Sequence, residues 1–267
     1  MKETVHGFRE VDRSADARYF VQFLDEIGSL ESVREGKRLM LEALDIRAGH
    51  RVLDVGCGVG ADAIEIARLV GDAGSVVGLD SSQVMVAEAR KRCAGLPIEV
   101  LLGDAENLEF PAHSFNACRS ERVFMYVDAA RALDEMIRVT KPGGAVVVFD
   151  VDHDGISIDS PRPDVTRKMV RFMSDNHRNG IVGRQLRRLF RERGMADVRF
   201  RPHSHVLPFS FFKRLCGGSV IKAQEAGVIT TAEGEQWLDE LADADRRGVF
   251  LMVVPGFIVG GRKTSGA

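Results

Sequence analysis

The chain has 267 residues, 45% of them hydrophobic, which suits one α/β domain with insertions. Its 37 basic and 39 acidic residues nearly cancel, so there is no global charge to attract nucleic acid or anionic lipid. The charged N-terminus lacks the apolar core of a signal peptide, and no stretch has about 18 consecutive apolar residues, so no membrane span is predicted. The four cysteines show neither CxxC nor zinc spacing, which predicts reduced thiols in a cytoplasmic protein.

The first predicted elements are N-terminal helices, a strand and a glycine-rich turn. Residues 14–44 carry apolar side chains at helical spacing. The apolar run at residues 52–55 stops at three alternating glycines, as a buried parallel strand does. The same unit then recurs, with a strand predicted over 75–79, a helix over 82–93 and a strand over 98–102.

The alternation continues into the middle of the chain. A strand is predicted over 115–119, and Asp128 is a predicted N-cap for the next helix. The turn at 141–144, Lys-Pro-Gly-Gly, ends that helix before an apolar strand over 145–149. Strand and helix in alternation predict a doubly wound parallel sheet.

The regular alternation breaks after Asp150. Helices are predicted over 159–178, 184–193 and 219–244, and strands near 198–205 and 250–259. In the helix over 184–193 the arginines lie opposite apolar positions, so an amphipathic helix is favoured over a nucleic-acid patch. These irregular regions and the N-terminal helices are candidates for a lid over the carboxyl ends of the strands.

The strongest motif is the strand and turn Val52-Leu53-Asp54-Val55-Gly56-Cys57-Gly58-Val59-Gly60. Such a turn lets backbone amides approach a ligand, and the following helix N-terminus adds partial positive charge. Gly56, Gly58 and Ala61 also fit the dinucleotide pattern GxGxxA, so a nicotinamide-dependent oxidoreductase stays open. Asp54 argues against it, because a carboxylate there would repel a pyrophosphate and suits a ligand with ammonium and sulfonium groups.

Two more carboxylates follow strands. Asp80 ends the second strand, where a carboxylate can accept both ribose hydroxyls of either cofactor. Asp104, in Gly103-Asp104-Ala105, follows the third strand and can accept from an adenine amino group. With Lys-Pro-Gly-Gly before the fifth strand, the order is DVGCGxG, GLDxS, GDAxxL and KPGG.

With these motifs in this order, the chain resembles a class I S-adenosylmethionine-dependent methyltransferase related to the ubiquinone and menaquinone methyltransferases. The resemblance is close over roughly residues 51–150 and looser elsewhere. It implies a Rossmann-like, seven-stranded, mostly parallel sheet with helices on both faces, a helical N-terminal lid and inserted helices. The expected division is a single domain, 1–267, with a lid over 1–48, a cofactor-binding core over 49–152 and substrate-side insertions over 153–182 and 208–248.

The resemblance also implies S-adenosylmethionine as cofactor and methyl transfer to an oxygen, nitrogen or carbon of a small, partly hydrophobic molecule. A secondary metabolite or a quinone-like acceptor fits that expectation. The alternative is an S-adenosylmethionine-binding protein with a non-methylating role. Neither the acceptor nor the oligomeric state follows from the sequence.

The family's cofactor residues carry over position by position. The methionyl end would be held by Asp54, Gly56, Gly58 and Gly60, and the ribose by Asp80. The adenine would be held by Ser81, Met85, Gly103, Asp104 and Ala105. The side toward the methyl group would be held by Ser120 and Glu121.

Candidate catalytic residues lie after the fourth and fifth strands. Tyr126 stands where the family often carries a histidine, but its reference pKa near 10 makes it a poor base, and a packing role is the alternative. His153 is the leading candidate base, with a solvated loop as the alternative. The acidic residues around His153 could also bind Mg²⁺. The two arginines near the end of the fourth strand disfavour a cation there, so no metal is expected.

Aromatic residues and two further histidines complete the candidates. Tyr19 and Phe23 either close over cofactor and acceptor or pack in the core. The phenylalanines at 209, 211 and 212 either line the opposite wall or form a seam between lid and core. His203 and His205 alternate on one strand face, and without a third ligand nearby they are interpreted as surface or packing residues.

Overall fold

One sheet of eight strands organises the computed structural model, which describes residue 8 and residues 11–14 and 16–264. The strands are β1 (Arg51–Val55), β2 (Ser75–Asp80), β3 (Ile98–Leu102), β4 (Phe115–Glu121), β5 (Thr140–Val151), β6 (Ser157–Ile158), β7 (Ala196–Val206) and β8 (Met252–Arg262). The helices are α1 (Ala17–Ser29), α2 (Glu31–Leu44), α3 (Ala61–Val70), α4 (Gln83–Arg92), α5 (Ala129–Val139), α6 (Pro163–Asp175), α7 (Val182–Glu192), α8 (Phe209–Glu225) and α9 (Thr231–Arg246).

The strand order confirms the predicted Rossmann-like, mostly parallel sheet. The order is β3-β2-β1-β4-β5-β8-β6, with β7 also paired to β8. The first five strands are mutually parallel, and β8 runs antiparallel to β5, β6 and β7. The strand beyond the predicted seven is β6, whose two residues are too few to leave a periodic signal.

The capping chemistry of the central helix follows the prediction. The Asp128 carboxylate accepts from the backbone N–H groups of Ala130 and Arg131 at 3.0 and 3.1 Å, which starts α5. At the other end of α5, the Lys-Pro-Gly-Gly turn is absorbed into β5. Phe115 of β4 pairs with Thr140 of β5, and two residues later Ala117 pairs with Ala145, so the turn residues form a bulge in β5.

The predicted helix over 219–244 is wrong in two respects. It is two helices, because the chain reverses at Gly227 and Thr230 starts α9 with a capping box. The Thr230 hydroxyl accepts from the Glu233 backbone N–H at 3.1 Å, and the Glu233 carboxylate accepts from the Thr230 backbone N–H at 2.7 Å. The helix before the break, α8, begins at Phe209, well ahead of the predicted start.

The close approach of α7 to β5 depends on Gly183. A Cβ at this position would lie 2.8 Å from the backbone oxygens of Asp150 and Val151. We expect Gly183→Ala to lower the free energy of unfolding by about 1–3 kcal/mol, because the helix must move away from the sheet. Urea denaturation measures the change. Gly217→Ala, in α8 with nothing within 4 Å of its Cβ, is the matched control and is expected to be neutral or stabilising. Equal effects from the two substitutions would contradict the proposed role of Gly183.

Among the described residues, none of the helices combines the length and apolar character needed to span a bilayer. All four cysteines are buried and free.

Candidate active site

A cavity of about 800 Å³ opens at the carboxyl ends of the parallel strands. Its walls come from the glycine-rich turn after β1, the loops after β2, β3 and β4, and the side chains of α1, α6, α8, β7 and β8. Ligands of doubly wound folds bind at this edge of the sheet. The volume lies within the range of roughly 300–1,000 Å³ found for small-molecule sites.

The glycine-rich turn forms one wall of the cavity. The backbone N–H groups of Gly56 and Cys57 donate to the Leu79 carbonyl at 2.7 and 3.0 Å, which fixes the turn against β2. Gly56 and Gly58 line the cavity with positive φ values of 77° and 53°, a backbone region that favours glycine. Gly60 does not line it. A Cβ on Gly60 would lie 2.9 Å from the Cys93 sulfur, so this glycine serves the packing of α3 against α4.

Asp80 lies at the end of β2 in the cavity wall, beside Ser81 and Met85. Its carboxylate accepts from the backbone N–H of Gly58 at 2.8 Å and of Ser82 at 3.0 Å. Burial raises the pKa of Asp80, and these two hydrogen bonds oppose the rise. The carboxylate therefore links the glycine turn to the start of α4 and faces the cavity.

The predicted adenine loop lies beside Asp80. Gly103, Asp104 and Ala105 all line the cavity. The Asp104 side chain is exposed, and its Oδ1 accepts from the Glu106 backbone N–H at 2.8 Å. The structure thus brings the second and third predicted carboxylates to one cavity.

Asp54 requires a correction. It is 1% exposed and does not line the cavity, and its Oδ1 accepts from the Arg119 guanidinium at 3.1 Å. Burial raises the pKa of Asp54, and the guanidinium offsets part of the rise. The expectation that the carboxylates at 54, 80 and 104 all face one ligand is therefore wrong for Asp54. Ser120 is likewise fully buried away from the cavity, whereas Glu121 lines it.

Asp54 belongs to a buried ion network beneath the glycine turn. Arg119, which is 2% exposed, also contacts Asp62 at 3.1 Å and Glu121 at 2.6 Å. Lys37 reaches in from α2 and pairs with Asp62 and, at 3.1 Å, with Glu121. Arg122 contacts Glu121 at 3.5 Å, so three cations face three carboxylates, and their charges balance. The members of this ion network are Lys37, Asp54, Asp62, Arg119, Glu121 and Arg122.

The network sets the charge state of the groups that reach the cavity. Burial would raise the pKa values of Asp62 and Glu121, but Arg119 and Lys37 outweigh it and hold both below their ordinary range. Burial would lower the pKa of Lys37, but Asp62 and Glu121 raise it. Lys37, Asp62, Glu121 and Arg122 all line the cavity, so the network presents two cations and two carboxylates at its inner end.

The loop after β4 forms the opposite side of the cavity and carries Tyr126. The Asp150 carboxylate accepts from the Met125 backbone N–H at 3.3 Å, and the Asn179 side chain donates to the Phe124 carbonyl at 3.0 Å. These bonds fix the loop from two elements. Tyr126 lines the cavity, and burial, reinforced by the Asp150 carboxylate, raises the pKa of its phenol well above the ordinary value.

His153 lies in the cavity wall rather than in a solvated loop. Its ring stacks on His177, with centroids 3.8 Å apart and an interplanar angle of 16°. The His153 backbone N–H donates to the Gly180 carbonyl at 2.8 Å, and the His177 Nδ1 contacts the Met173 carbonyl at 2.9 Å. Both imidazoles therefore face the cavity from a fixed stack.

The rest of this side is apolar. Met173 of α6, Leu215 and Cys216 of α8, and Met252 and Val254 of β8 line it. Of the two interpretations open for Phe209, Phe211 and Phe212, the structure agrees with packing: all three are buried outside the cavity wall, and the next turn of α8 faces the cavity instead.

Comparisons with known proteins agree with this geometry. A family model described as a methyltransferase domain matches residues 52–144. The chain is 37% identical over 249 residues to an uncharacterised 37.1 kDa protein in transposon TN4556 of Streptomyces fradiae, covering 90% of this chain and 70% of that protein. It is 34% identical over 152 residues to the ubiquinone/menaquinone biosynthesis C-methyltransferase UbiE of Geobacter sulfurreducens, covering 55% of this chain and 59% of that protein.

The chain is a class I S-adenosylmethionine-dependent methyltransferase related to the ubiquinone and menaquinone enzymes. With the demethylmenaquinone methyltransferase of Paenarthrobacter aurescens it shares 35% identity over 132 residues, 49% of this chain and 50% of that protein. The alignment thus spans about half the length of this functionally named relative. The cofactor is S-adenosylmethionine, which decides against the nicotinamide alternative.

Solved structures share the fold of this methyltransferase. The YcgJ protein of Bacillus subtilis superposes with a TM-score of 0.61 at 19% identity, covering 87% of this chain and 100% of that one. Phosphoethanolamine N-methyltransferase 2 of Haemonchus contortus gives 0.62 at 16%, covering 97% and 60%. The [4+2]-cyclase SpnF gives 0.57 at 23%, covering 87% and 81%.

The polar end of the cavity fits the cofactor's functional groups. Carboxylates at Asp80 and Asp104 suit ribose hydroxyls and an adenine amino group, both of which donate hydrogen bonds. At the inner end, Lys37 suits an amino-acid carboxylate, and Glu121 and Asp62 suit an ammonium. The sequence reading missed Lys37, Asp62 and Arg119. One signal was available for Arg119, since a cation inside a buried strand requires carboxylates around it.

The N-terminal segment covers this site. Phe23, Leu24 and Ile27 of α1 line the cavity, whereas Tyr19 does not. Tyr19 is half-buried against Arg214, whose guanidinium lies 5.0 Å from the ring centroid. The Tyr19 expectation therefore needs correction, because the ring packs between α1 and α8 instead of facing the site.

Asp12 ties this covering segment to the start of α4. Its carboxylate accepts from the Ser82 hydroxyl at 2.5 Å and from the backbone N–H groups of Gln83 and Val84 at 2.8 and 3.1 Å. We expect Asp12→Ala to accelerate amide hydrogen exchange in α1 about ten-fold, because these bonds hold the segment down. Exchange followed by mass spectrometry measures this. Asp72→Ala, which removes an exposed carboxylate, is the control. Unchanged exchange in Asp12→Ala would show that the Asp12 hydrogen bonds do not hold α1 in place.

Proposed function

We propose that this methyltransferase transfers the methyl group to an oxygen, nitrogen or carbon of a small, partly hydrophobic molecule. The observation that carries the proposal is the continuity of one cavity with two chemically different ends. One end presents the carboxylates of Asp80, Asp104 and Glu121, and the other is walled by apolar side chains with few polar groups. Specific small-molecule sites combine apolar walls with a few convergent polar groups in this way.

The bound cofactor supplies a methyl group on a sulfonium, which needs no strong acid from the protein. The residues of the chain align the methyl group with the acceptor and exclude water from the site. In the proposed assignment the glycine turn, Asp80 with Ser81 and Met85, the loop 103–105 and Glu121 hold the cofactor. Holding two reactants in line is worth up to about 7–11 kcal/mol in well-oriented systems, and exclusion of water helps further.

Tyr126, His153 and Phe23 are the proposed acceptor contacts among the predicted residues. Tyr126 keeps its proton, because burial raises its pKa, so it donates a hydrogen bond instead of acting as a base. His153 can accept a proton or a hydrogen bond from its place in the stack with His177. The lid over 1–48, the core over 49–152 and the insertions over 153–182 and 208–248 remain the proposed division of labour.

A labelled transfer assay tests the proposal. The protein is incubated with S-adenosylmethionine carrying a trideuterated methyl group and an acceptor panel that includes 2-naphthol and a reduced naphthoquinone. The naphthoquinone is included because the relatives' names point to such acceptors. We expect one acceptor to gain the labelled methyl, with stoichiometric S-adenosylhomocysteine. Calorimetric binding of the cofactor without transfer to any acceptor would favour the non-methylating alternative, which the cyclase neighbour illustrates for this fold.

A further inference from the structure

His205 is a buried imidazole that the sequence reading assigned to surface or packing. It projects from β7 into the wall of the cavity and is 3% exposed. Its ring packs edge-on against Phe149, with centroids 5.2 Å apart, and against His203 at 5.3 Å. Among the described residues, neither ring nitrogen of His205 has a hydrogen-bond partner.

The neighbouring histidine shows the contrast. The His203 Nε2 contacts the Ser32 carbonyl at 2.6 Å, so its polar atom is satisfied. Gly36 of α2 makes room for the pair, because a Cβ there would lie 2.8 Å from the His203 ring and 3.7 Å from the His205 Cε1. His203 is therefore fixed by the protein itself, whereas the His205 ring is held by packing and keeps both nitrogens available.

A buried polar group without a partner costs free energy, and native proteins contain few of them. Burial lowers the pKa of His205 to about 3, and the nearby Arg122 reinforces this. The imidazole is therefore neutral at physiological pH, with one nitrogen as donor and the other as acceptor. A ligand in the cavity that offers a polar group would satisfy it.

His205 lies close to the ion network in the cavity wall. Arg122, Glu121, His203 and Lys37 all influence its ionisation. Glu121 and Lys37 belong to the inner polar end of the cavity. Arg122, a cavity residue directly after β4, has a positive φ of 57°, a strained conformation for a non-glycine residue that is concentrated at functional sites. His205 also stands opposite Val254 of the apolar wall in the register of β7 and β8, so it lines the cavity beside both the network and that wall.

We propose that His205 hydrogen-bonds the acceptor, and that the acceptor carries an uncharged hydroxyl or carbonyl on an otherwise apolar skeleton. The inference rests on the proposed function and deepens it. An uncharged polar group matches a neutral imidazole. The three cations and three carboxylates of the ion network balance without an acceptor, and Lys37 is already assigned to the cofactor's carboxylate, so a charged acceptor would be buried without a counter-ion of its own.

The test compares two probes of one shape. Protein saturated with S-adenosylhomocysteine is titrated with 2-naphthol and with naphthalene, and binding is followed by fluorescence. We expect wild type to bind 2-naphthol about three- to ten-fold more tightly than naphthalene, as one hydrogen bond allows. In His205→Phe this preference should fall to within about two-fold, and His205→Gln should retain part of it. His203→Gln is the matched control and should keep the wild-type preference.

A spectroscopic readout separates contact from structure. In protein labelled with ¹⁵N-histidine, the ring signals that His205→Gln removes identify His205. We expect them to move on addition of 2-naphthol and to stay in place with naphthalene. Calorimetry with S-adenosylhomocysteine should give unchanged affinity in each variant, which shows that the site is intact. If His205→Phe does not fold, His205→Gln and the wild-type signals decide.

An undiminished naphthol preference in His205→Phe, a wild type without the preference, or unmoved ¹⁵N signals would each overturn the inference. Failure of the proposed function looks different. A protein that binds 2-naphthol at His205 but never transfers a methyl group keeps the His205 contact and loses the transferase proposal. Methyl transfer with an unmoved His205 signal would keep the transferase proposal and overturn the His205 contact.

Discussion

Arg119→Met is expected to lower the free energy of unfolding by about 3–5 kcal/mol at neutral pH, the range for breaking a buried ion pair by removal of one partner. Arg119 is 2% exposed and contacts the carboxylates of Asp54, Asp62 and Glu121. Without it, three buried carboxylates face only Lys37 and Arg122. Asp54 then has no cation within contact distance among the described residues.

The loss should depend on pH. Burial raises the pKa of Asp54 to about 6 even beside Arg119, and removal of the guanidinium raises it further. A carboxyl group with a folded-state pKa above its unfolded value near 3.9 destabilises the fold when ionised, and this penalty disappears as the pH falls through the folded pKa. The difference in stability between wild type and Arg119→Met should therefore be smaller at pH 5.5 than at pH 8. Urea denaturation of both proteins at each pH measures it.

Two further variants sharpen this test. Arg131→Met removes an arginine whose side chain is 65% exposed and should change stability by no more than about 0.5 kcal/mol. Asp54→Asn combined with Arg119→Met should recover part of the loss, because it removes one unpaired charge. If Arg119→Met unfolds at the same urea concentration as wild type at both pH values, the ion network does not stabilise the fold.

Asp54 also shows where reading the sequence reached its limit. The motif correctly predicted β1, the glycine turn and the helix after it, because these are local features of spacing and glycine content. The partner of Asp54 is 65 residues away and becomes its neighbour only through the parallel pairing of β1 with β4, in which Asp54 stands opposite Arg119. No local pattern carries that register.

The sequence left the environment of His205 open between surface and packing for a related reason. The alternation of His203 and His205 was visible, but whether their face is solvent or cavity depends on the antiparallel pairing of β7 with β8 and on the cover of α2. The break between α8 and α9 is different, since Thr230 and Glu233 form a capping box that stands in the sequence. That signal was available, and the error came from extending one helical period across it.

Asp80→Ala is expected to weaken S-adenosylhomocysteine binding ten- to a hundred-fold, since charge-assisted hydrogen bonds contribute roughly 1.5–3 kcal/mol each. Asp80 lines the cavity between the glycine turn and the adenine loop, and it accepts from the backbone N–H groups of Gly58 and Ser82. Its removal therefore takes away the proposed ribose contact and loosens the turn that forms the neighbouring wall. Calorimetric titration at pH 7 measures the loss.

Asp104→Ala is the matched control for Asp80→Ala. Asp104 lines the same cavity but is exposed, so its contact is partly replaced by water, and a loss of only about two- to five-fold is expected. Burial raises the folded-state pKa of Asp80, so wild-type affinity should decline on acidification as this carboxylate takes up a proton, while the affinity of Asp80→Ala should decline less. A larger loss from Asp104→Ala than from Asp80→Ala would contradict the assignment of the ribose to Asp80, because the stronger contact would then lie at the exposed end of the cavity.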